Sequence, residues 1–197
     1  MNTQSEKGRG QPARRKEIVE AARLIAAEQG WAAVTVRAIA ARIDCSAPAI
    51  YQYFRDKDAV LSALAAEGNM QLDLALDQAI TDVHGPAKRL RAMLRTLWDY
   101  SLDNREICAV MFGFEGQTAH PGTATDALAP VAMAHAASDL LAKRGSGDNG
   151  QDLADRLVAV TYGFIGLTAG GNFPGGRDRA FALFTETVDT LLKDVGR

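Results

Sequence analysis

Residues 35–54 read TVRAIAARIDCSAPAIYQYF, and this stretch predicts two short helices joined by a tight turn. The apolar residues at positions 36, 39, 40 and 43 follow the spacing of one face of an amphipathic helix. Thr35 precedes this face as a candidate N-cap. Ser46 is the candidate N-cap of the second helix, with Pro48 in the first turn, where a missing N–H costs little.

The second helix has two unlike edges. Ile50 and Phe54, four residues apart, provide an edge to be buried, whereas Gln52 lies about half a turn round, flanked by Tyr51 and Tyr53. A short helix with one buried edge and a small, polar and phenolic outer edge suits insertion into the DNA major groove. The stretch therefore predicts a helix-turn-helix.

Four segments in register resemble the DNA-binding domain of TetR-family transcriptional regulators. They are IVEAA at 18–22 in a helix that ends at Gly30, TVRAIA at 35–40, IYQYF at 50–54 and DKD at 56–58. The resemblance runs from Arg15 to Leu61, about a quarter of the chain. It departs from the family at Asp44, where a turn glycine is usual; Asp tolerates the left-handed conformation better than most residues, so only modest strain is expected.

Composition and charge point to a chain with a basic N-terminal part. Of its 197 residues, 47% are hydrophobic, which is ample for a core, and no apolar run is long enough to span a membrane. Residues 1–60 hold ten Lys/Arg against seven Asp/Glu, or +3; residues 61–197 hold twelve against seventeen, or −5, and the two sum to the overall −2. Such a division is typical of a nucleic-acid module joined to a second part, although surface scatter gives the same imbalance.

The fold predicted is all-α, with about nine helices. A disordered basic arm is expected over residues 1–13, a three-helix domain containing the helix-turn-helix over 14–60, and a helical domain for ligand binding and dimerisation over 61–197. The first helix is expected from about Ala13 to Gln29. A fourth helix, capped by Asp56 and running from about Lys57 to Ile80, connects the two domains.

Catalytic and metal sites have no support in the sequence. The histidines at 84, 120 and 135 lack metal-ligand spacing, the two cysteines stand alone, and no nucleophile motif is present. We expect no cofactor, no metal and no enzyme activity. A reducing cytoplasm is the simplest setting for the lone cysteines, so a cytoplasmic location is expected.

The DNA-binding residues expected lie on and around the second short helix. The family resemblance implies phosphate contacts from Thr35, Tyr51 and Lys57, and Arg37 is an additional candidate. Gln pairs with adenine, and Ala and Pro can meet a thymine methyl, so the candidates for base edges are the outward residues. The base-edge candidates are Ala47, Pro48, Gln52 and Tyr53. The N-cap residue Ser46 is a further DNA-binding candidate.

The C-terminal part resembles the effector domain of a TetR subgroup with a Trp-His-Gly signature. Gly163 matches, while Tyr162 and Val158 stand in place of the His and Trp. The resemblance implies an effector pocket among large side chains, each of which could instead fill a core: Trp98, Leu102, Met111, Phe112, Phe114, Met133, His135, Tyr162 and Phe164. Tyr162 and His135 are the candidates for orienting hydrogen bonds. It also implies a homodimer through the last two helices, at Ala159, Gly163, Gly166, Phe181, Phe184 and Val188.

The function expected is that of a homodimeric repressor that binds a double-stranded DNA operator and is released by a largely apolar small molecule. A helical DNA-binding regulator that senses no small molecule and acts through protein contacts remains the alternative. A helical enzyme is the third class, which would require turnover and no operator.

Overall fold

The computed structural model describes residues 4–113 and 128–194, with side chains described from 11–113 and 131–194. These residues contain nine α-helices, one short 3-10 helix at Trp31–Ala33 and no strand. The all-α prediction is confirmed. In chain order the helices are α1 Gln4–Gln29, α2 Val36–Arg42, α3 Ala47–Tyr51, α4 Lys57–Ile80, α5 Pro86–Asp103, α6 Arg105–Phe112, α7 Leu128–Lys143, α8 Gly150–Ala169 and α9 Gly176–Asp194.

The ends of most helices follow the signals in the sequence. Gly30 closes α1 in the left-handed region at φ 80°, and its N–H bonds the Ala26 carbonyl at 2.8 Å. Asp56 caps α4, since its carboxylate accepts the Ala59 N–H at 2.7 Å. Helix α4 has the expected bounds, Lys57–Ile80.

Two helices differ from the sequence prediction. Helix α1 begins at Gln4 and contains Pro12, so the arm expected to be disordered is helical from Gln4 onward. Extending an existing helix needs no new nucleation, which favours this longer α1. Helix α3 ends at Tyr51, three residues before Phe54, because the Gln52 and Tyr53 amides bond carbonyls three residues back and tighten the last turn.

The described residues form two compact units. The first comprises 4–68 and 106–113, and the second 69–105 and 128–194. The predicted boundary after residue 60 and this division at residue 68 both fall within α4. Helix α6, which the sequence assigned with the rest of 61–197, groups with the first unit.

The first unit is built around side chains of α1 to α4. Its fully buried residues include Ile18 and Ala22 of α1, Ile39 of α2 and Leu64 of α4. Helix α6 joins this unit at Gly68, where a side chain on α4 would meet Ile107 and Met111. Because only a hydrogen stands on that Cα, the two helices approach closely.

The second unit packs α5 against α7 and α8, and α8 against α7 and α9. An aromatic cluster, made of Trp98, Phe164, Phe173, Phe181 and Phe184, joins α5, α8 and α9 with the turn before α9. Trp98 is 1% exposed and lies stacked on Phe184 with ring centroids 5.1 Å apart. Phe164 contacts Phe173 at 5.5 Å and Phe184 at 5.9 Å. Such stacked and edge-on pairs stabilise beyond the area that they bury.

Candidate nucleic-acid interface

Helix α2 and the turn that follows it set the direction of α3. The Thr35 hydroxyl accepts the Ala38 N–H at 3.1 Å and so caps α2. At the other end Asp44 adopts φ 49°, and the Cys45 N–H bonds the Ala40 carbonyl at 2.9 Å. This is the hydrogen bond that closes a helix through one left-handed residue. The expected left-handed conformation of Asp44 is confirmed.

Helix α3 presents an exposed outer edge and a buried inner edge. Ile50 is 1% exposed and Phe54 is 3% exposed, whereas Tyr51 is 55% exposed. Pro48 and Gln52 are also exposed. A tyrosine left in solvent beside a buried phenylalanine costs apolar burial. Its exposure therefore leaves the ring and hydroxyl available to a partner.

The start of α3 adds polar groups to the same edge. Ser46 occupies the N-cap position with φ −83° and ψ 148°, but its side chain makes no capping hydrogen bond, and it is exposed. The hydroxyl is thus available outside the helix, unlike that of a serine engaged in capping. Ala47 and Tyr53 are half-buried, so they offer less surface than their neighbours.

Lys57 is placed differently from the expectation of a phosphate contact. Its Nζ donates to the Trp31 carbonyl at 3.3 Å, and the side chain is half-buried. The carbonyl lies within reach because the 3-10 helix at Trp31–Ala33 packs in the first unit, which the sequence did not predict. An ammonium has three N–H donors, so one hydrogen bond to this carbonyl does not prevent another to a phosphate. Arg37 of α2, by contrast, is exposed.

Helix α2 is braced to α1 by an ion pair between Arg42 and Glu28. The two guanidinium nitrogens donate to the two carboxylate oxygens at 2.7 and 2.6 Å. These hydrogen bonds, with the charge of Arg42, hold the pKa of Glu28 below its usual range. The paired geometry fixes the relative direction of the helices more than a single contact would.

The residues expected to line an effector pocket fall in both units. Trp98 and Phe164 belong to the aromatic cluster, Met133 is buried, and Leu102 and Tyr162 are half-buried in the second unit. Met111 and Phe112 belong to the first unit, buried and half-buried respectively. Phe114 lies outside the described residues.

His135 differs from the role expected of it. It is exposed on α7, although Met133, two residues before, is 2% exposed. Two residues on a helix are separated by about 200° and so point to different sides. His135 thus lies on a different side of α7 from the buried Met133.

A buried hydroxyl that the sequence did not single out lies on α5. Ser101 is 1% exposed, and its Oγ has no hydrogen-bond partner among the described residues. The other buried residues of this helix are apolar. A buried hydroxyl left unpaired costs about 1–3 kcal/mol. No signal in the sequence separates this serine from a surface one, because its burial depends on packing.

The residues expected at a dimer interface divide into two groups. Phe184 and Val188 are buried within the second unit, where they line a cleft of about 160 Å³ between α5 and α9. They fill the protomer's own core because Leu94 and Trp98 of α5 pack against this side of α9. Ala159 and Gly163 of α8 are exposed, Gly166 and Phe181 are half-buried, and Leu167 is 50% exposed.

Within the part of the chain that the structure describes, no group of three or more His, Cys, Asp or Glu side chains converges as a metal site. Both cysteines are free thiols. None of the described helices combines the length and the apolar character that a bilayer span requires.

Comparison with known proteins matches the chain over both units. The model of bacterial regulatory proteins of the tetR family matches residues 18–64. The model described as a tetracyclin repressor-like C-terminal domain matches residues 90–191, more than half of the chain. The match does not confirm the subgroup with the Trp-His-Gly signature.

Two curated relatives are similar to part of the chain. The HTH-type transcriptional repressor Rv1474c of Mycobacterium tuberculosis is 47% identical over 55 residues, which are 28% of this chain and 29% of the relative. The HTH-type transcriptional repressor KstR of Mycolicibacterium smegmatis is 33% identical over 84 residues, 43% of this chain and 41% of the relative. The chain thus spans less than half of the length of either.

Solved structures match over nearly the whole length. A protein of unknown function from Rhodococcus sp. RHA1 superposes with a TM-score of 0.78 at 22% identity, covering 93% of this chain and 95% of that one. At that identity the likeness concerns the fold alone. The two family models, by contrast, show that the chain belongs to the TetR family of bacterial regulatory proteins, which are DNA-binding regulators and not enzymes.

Proposed function

We propose that this protein is a homodimeric transcriptional repressor that binds a DNA operator through α3 and leaves it when a small, largely apolar molecule binds. The observation that carries the proposal is the contrast across α3, where Ile50 is 1% exposed and Tyr51 is 55% exposed. A helix held in the core by one edge, with a polar and aromatic edge in solvent, is the arrangement that major-groove readers use.

Each residue of the outer edge has a role in this proposal. The Gln52 amide reads a base edge, since Gln pairs bidentately with adenine, and Pro48 and Ala47 contact thymine methyl groups. The Ser46, Thr35 and Tyr51 hydroxyls donate to phosphates. Arg37 adds a charge contact, and Lys57 adds another through an N–H that does not point to the Trp31 carbonyl. Tyr53 contributes at the margin of the edge. Phosphate contacts set register, whereas the base contacts give specificity.

The proposed dimer uses the exposed face of α8. Ala159, Gly163 and Leu167 recur every four residues on that face, with Gly166 beside them. Small residues allow helix backbones to approach closely, and the half-exposed Leu167 side chain gains from burial. A twofold dimer would present two α3 helices to major grooves about 34 Å apart on a pseudo-palindromic site.

The effector is proposed to bind in the second unit. Support comes from the unpaired Ser101 hydroxyl, whose fellow buried residues on α5 are all apolar, and from the half-buried Tyr162 and Phe164 on α8. An apolar pocket with a few polar groups is the usual form of a small-molecule site. To release the operator, the effector must bind more tightly to the conformation of the protein that does not bind DNA. The coupling free energy between effector binding and operator binding is on the order of 1–3 kcal/mol.

The test begins with selection of bound duplexes from a random DNA pool, followed by titration of the enriched site by fluorescence anisotropy. Gln52→Ala should weaken operator binding about tenfold, in keeping with about 1–3 kcal/mol per bidentate pair, and should relax preference at one base position. Gln78→Ala, at an exposed site on α4 in the second unit, is the matched control and should bind as the wild type does. Failure to enrich any sequence would refute the proposal.

Effector release is tested on the same complex. A panel of metabolites and drugs is screened by thermal shift, and each compound that raises Tm is added to the protein–operator complex. Release of the duplex at saturating compound is the expected result. If stabilising compounds leave operator binding unchanged, the protein is a DNA-binding regulator without an effector switch, which is the alternative from the sequence.

A further inference from the structure

Helix α3 is too short to hold its own direction. It has five residues, Ala47–Tyr51, and its last turn is tightened rather than extended. Helices of this length are not stable by themselves in water, so their position depends on contacts from elsewhere. Burial of Ile50 and Phe54 fixes the depth of the helix, but two apolar contacts on one edge leave rotation about the helix axis less restricted.

Arg15 of α1 supplies a directional contact at the C-terminal side of α3. Its Nη1 donates a hydrogen bond of 2.5 Å to the Tyr53 carbonyl, across 38 residues of sequence. The carbon of its guanidinium group lies 4.1 Å from the centroid of the Phe54 ring. One planar group thus holds both the backbone and the ring that follow α3.

The chemistry of this contact suits a brace. Carbonyls after the last turn of a helix lack helical partners, and a cationic side chain that bonds them also interacts favourably with the helix dipole. A guanidinium on an aromatic face adds an attraction with a preferred geometry. Both interactions restrict how the residues before Tyr53, among them Tyr51 and Gln52, are presented.

From this geometry we infer that Arg15 is a positioning residue for operator recognition and not a phosphate contact. The inference rests on the proposed DNA-reading function of α3. In the sequence Arg15 stands between two other basic residues, Arg14 and Lys16, just after the expected arm. In the structure Arg15 and Lys16 are both exposed, and Arg14 pairs with Glu17 within α1. Arg15 differs from its two neighbours in bonding the Tyr53 carbonyl beyond α3.

The two roles give different salt dependences. A plot of the logarithm of the association constant against the logarithm of the salt concentration has a negative slope. Loss of one phosphate contact makes this slope shallower by about 0.9 and weakens binding to all duplexes alike. Loss of a positioning residue leaves the slope unchanged. It weakens binding to the operator, where side chains contact base edges, and not to non-operator duplexes. Operator and non-operator duplexes, each titrated at several salt concentrations, therefore separate the alternatives.

The main experiment compares Arg15→Met with Lys16→Met, which removes the same charge from the neighbouring position. For Arg15→Met we expect operator binding about tenfold weaker, non-operator binding within about twofold of wild type, and an unchanged slope. Lys16→Met should weaken both duplexes to a similar, smaller extent. Equal loss on both duplexes with a reduced slope for Arg15→Met would overturn the inference.

Ile25→Val tests whether a loss of stability alone weakens operator binding. It is a core change in α1 that is expected to cost about 0.5–1.5 kcal/mol of stability. Measured at a temperature where circular dichroism shows all variants folded, it should bind operator as wild type does. If Arg15→Met is not folded, Arg15→Lys replaces it: charge and a donor remain, but the planar group is lost. It should bind the operator at least about threefold more weakly, and wild-type affinity would refute the brace.

The outcome is distinguishable from failure of the proposed function. If the wild-type protein selects no DNA sequence, the function is refuted before any variant is made. If it selects an operator and Arg15→Met or Arg15→Lys binds that operator unchanged, only the inference about Arg15 fails.

Discussion

The backbone of Asp44 shows how one residue can depart from a family pattern without losing the turn. The position requires a left-handed conformation, here φ 49°, and the TetR resemblance leads one to expect glycine. This conformation costs free energy for any residue with a Cβ. The cost is smaller for Asp than for most residues because its short polar side chain can form local hydrogen bonds. The Cys45 N–H to Ala40 carbonyl bond is retained.

Glycine and alanine at position 44 should differ in the direction that this conformation dictates. Asp44→Gly is expected to be more stable than Asp44→Ala by about 1 kcal/mol, because only glycine enters the left-handed region without strain. Urea unfolding measures the difference. Ala41→Gly, at an exposed helical position in α2, should instead give a protein less stable than the wild type. Equal stabilities of the two variants at 44 would show that the turn relaxes to another conformation.

At the same scale, Lys57 and Arg15 show that a basic residue near α3 can bond the protein's own backbone. Lys57 donates to the Trp31 carbonyl and Arg15 to the Tyr53 carbonyl. Both acceptors are backbone groups outside regular helix, which need partners when they are not fully solvated. The resemblance implied a phosphate contact for Lys57. Neither backbone acceptor could be read from the sequence, because the bonds join residues 26 and 38 positions apart.

At the scale of elements, the close approach of α4 and α6 depends on Gly68. A Cβ at this position would lie 2.2 Å from the Ile107 Cγ2 atom and 2.5 Å from the Met111 Sδ atom. The first of these belongs to a β-branched side chain, which has little freedom to move aside in a helix. A glycine inside a long helix, otherwise unfavourable, is thus explained by packing.

Gly68→Ala should therefore destabilise the protein although alanine is the better helix former. Overpacking costs about 1–3 kcal/mol and the gain in helix propensity is about 1 kcal/mol. The expected net loss in the free energy of unfolding is therefore up to about 2 kcal/mol, and the 2.2 Å approach to Ile107 places it toward the upper end of that range. Chemical denaturation gives the value. Ala66→Gly, at an exposed position on the same helix, calibrates the propensity difference alone. A more stable Gly68→Ala protein would mean that α6 moves away at no cost.

At the scale of the whole molecule, the assembly depends on which apolar residues the protomer has already used. Phe184 and Val188 are buried against α5, so they add little further apolar area to a contact with a second copy. The exposed face of α8 is still available, with Gly163 at its centre. A Cβ added at Gly163 would meet no atom within 4 Å in the protomer.

Gly163→Leu is expected to leave the protomer folded and to raise the dimer dissociation constant at least about tenfold, because the added side chain separates two closely packed helices. Analytical ultracentrifugation over a concentration series measures it, with circular dichroism to verify the fold. Gly147→Leu, at a position between α7 and α8 that is equally open, is the matched control and should dimerise normally. Unchanged association of Gly163→Leu would place the interface elsewhere.

Local signals in the sequence determined much of this protein: the all-α class, the helix-turn-helix, the bounds of α4 and the caps at Thr35, Gly30 and Asp56. These features depend on residues within a turn or two of one another, whose chemistry can be read in order along the chain. Only the tertiary structure decided that Arg15 braces α3, that Lys57 bonds Trp31, that Ser101 is buried and that Phe184 packs on Trp98. The three contacts join residues far apart in sequence, and the burial of Ser101 depends on neighbouring helices. The packing of whole helices, not the local pattern, decides all four.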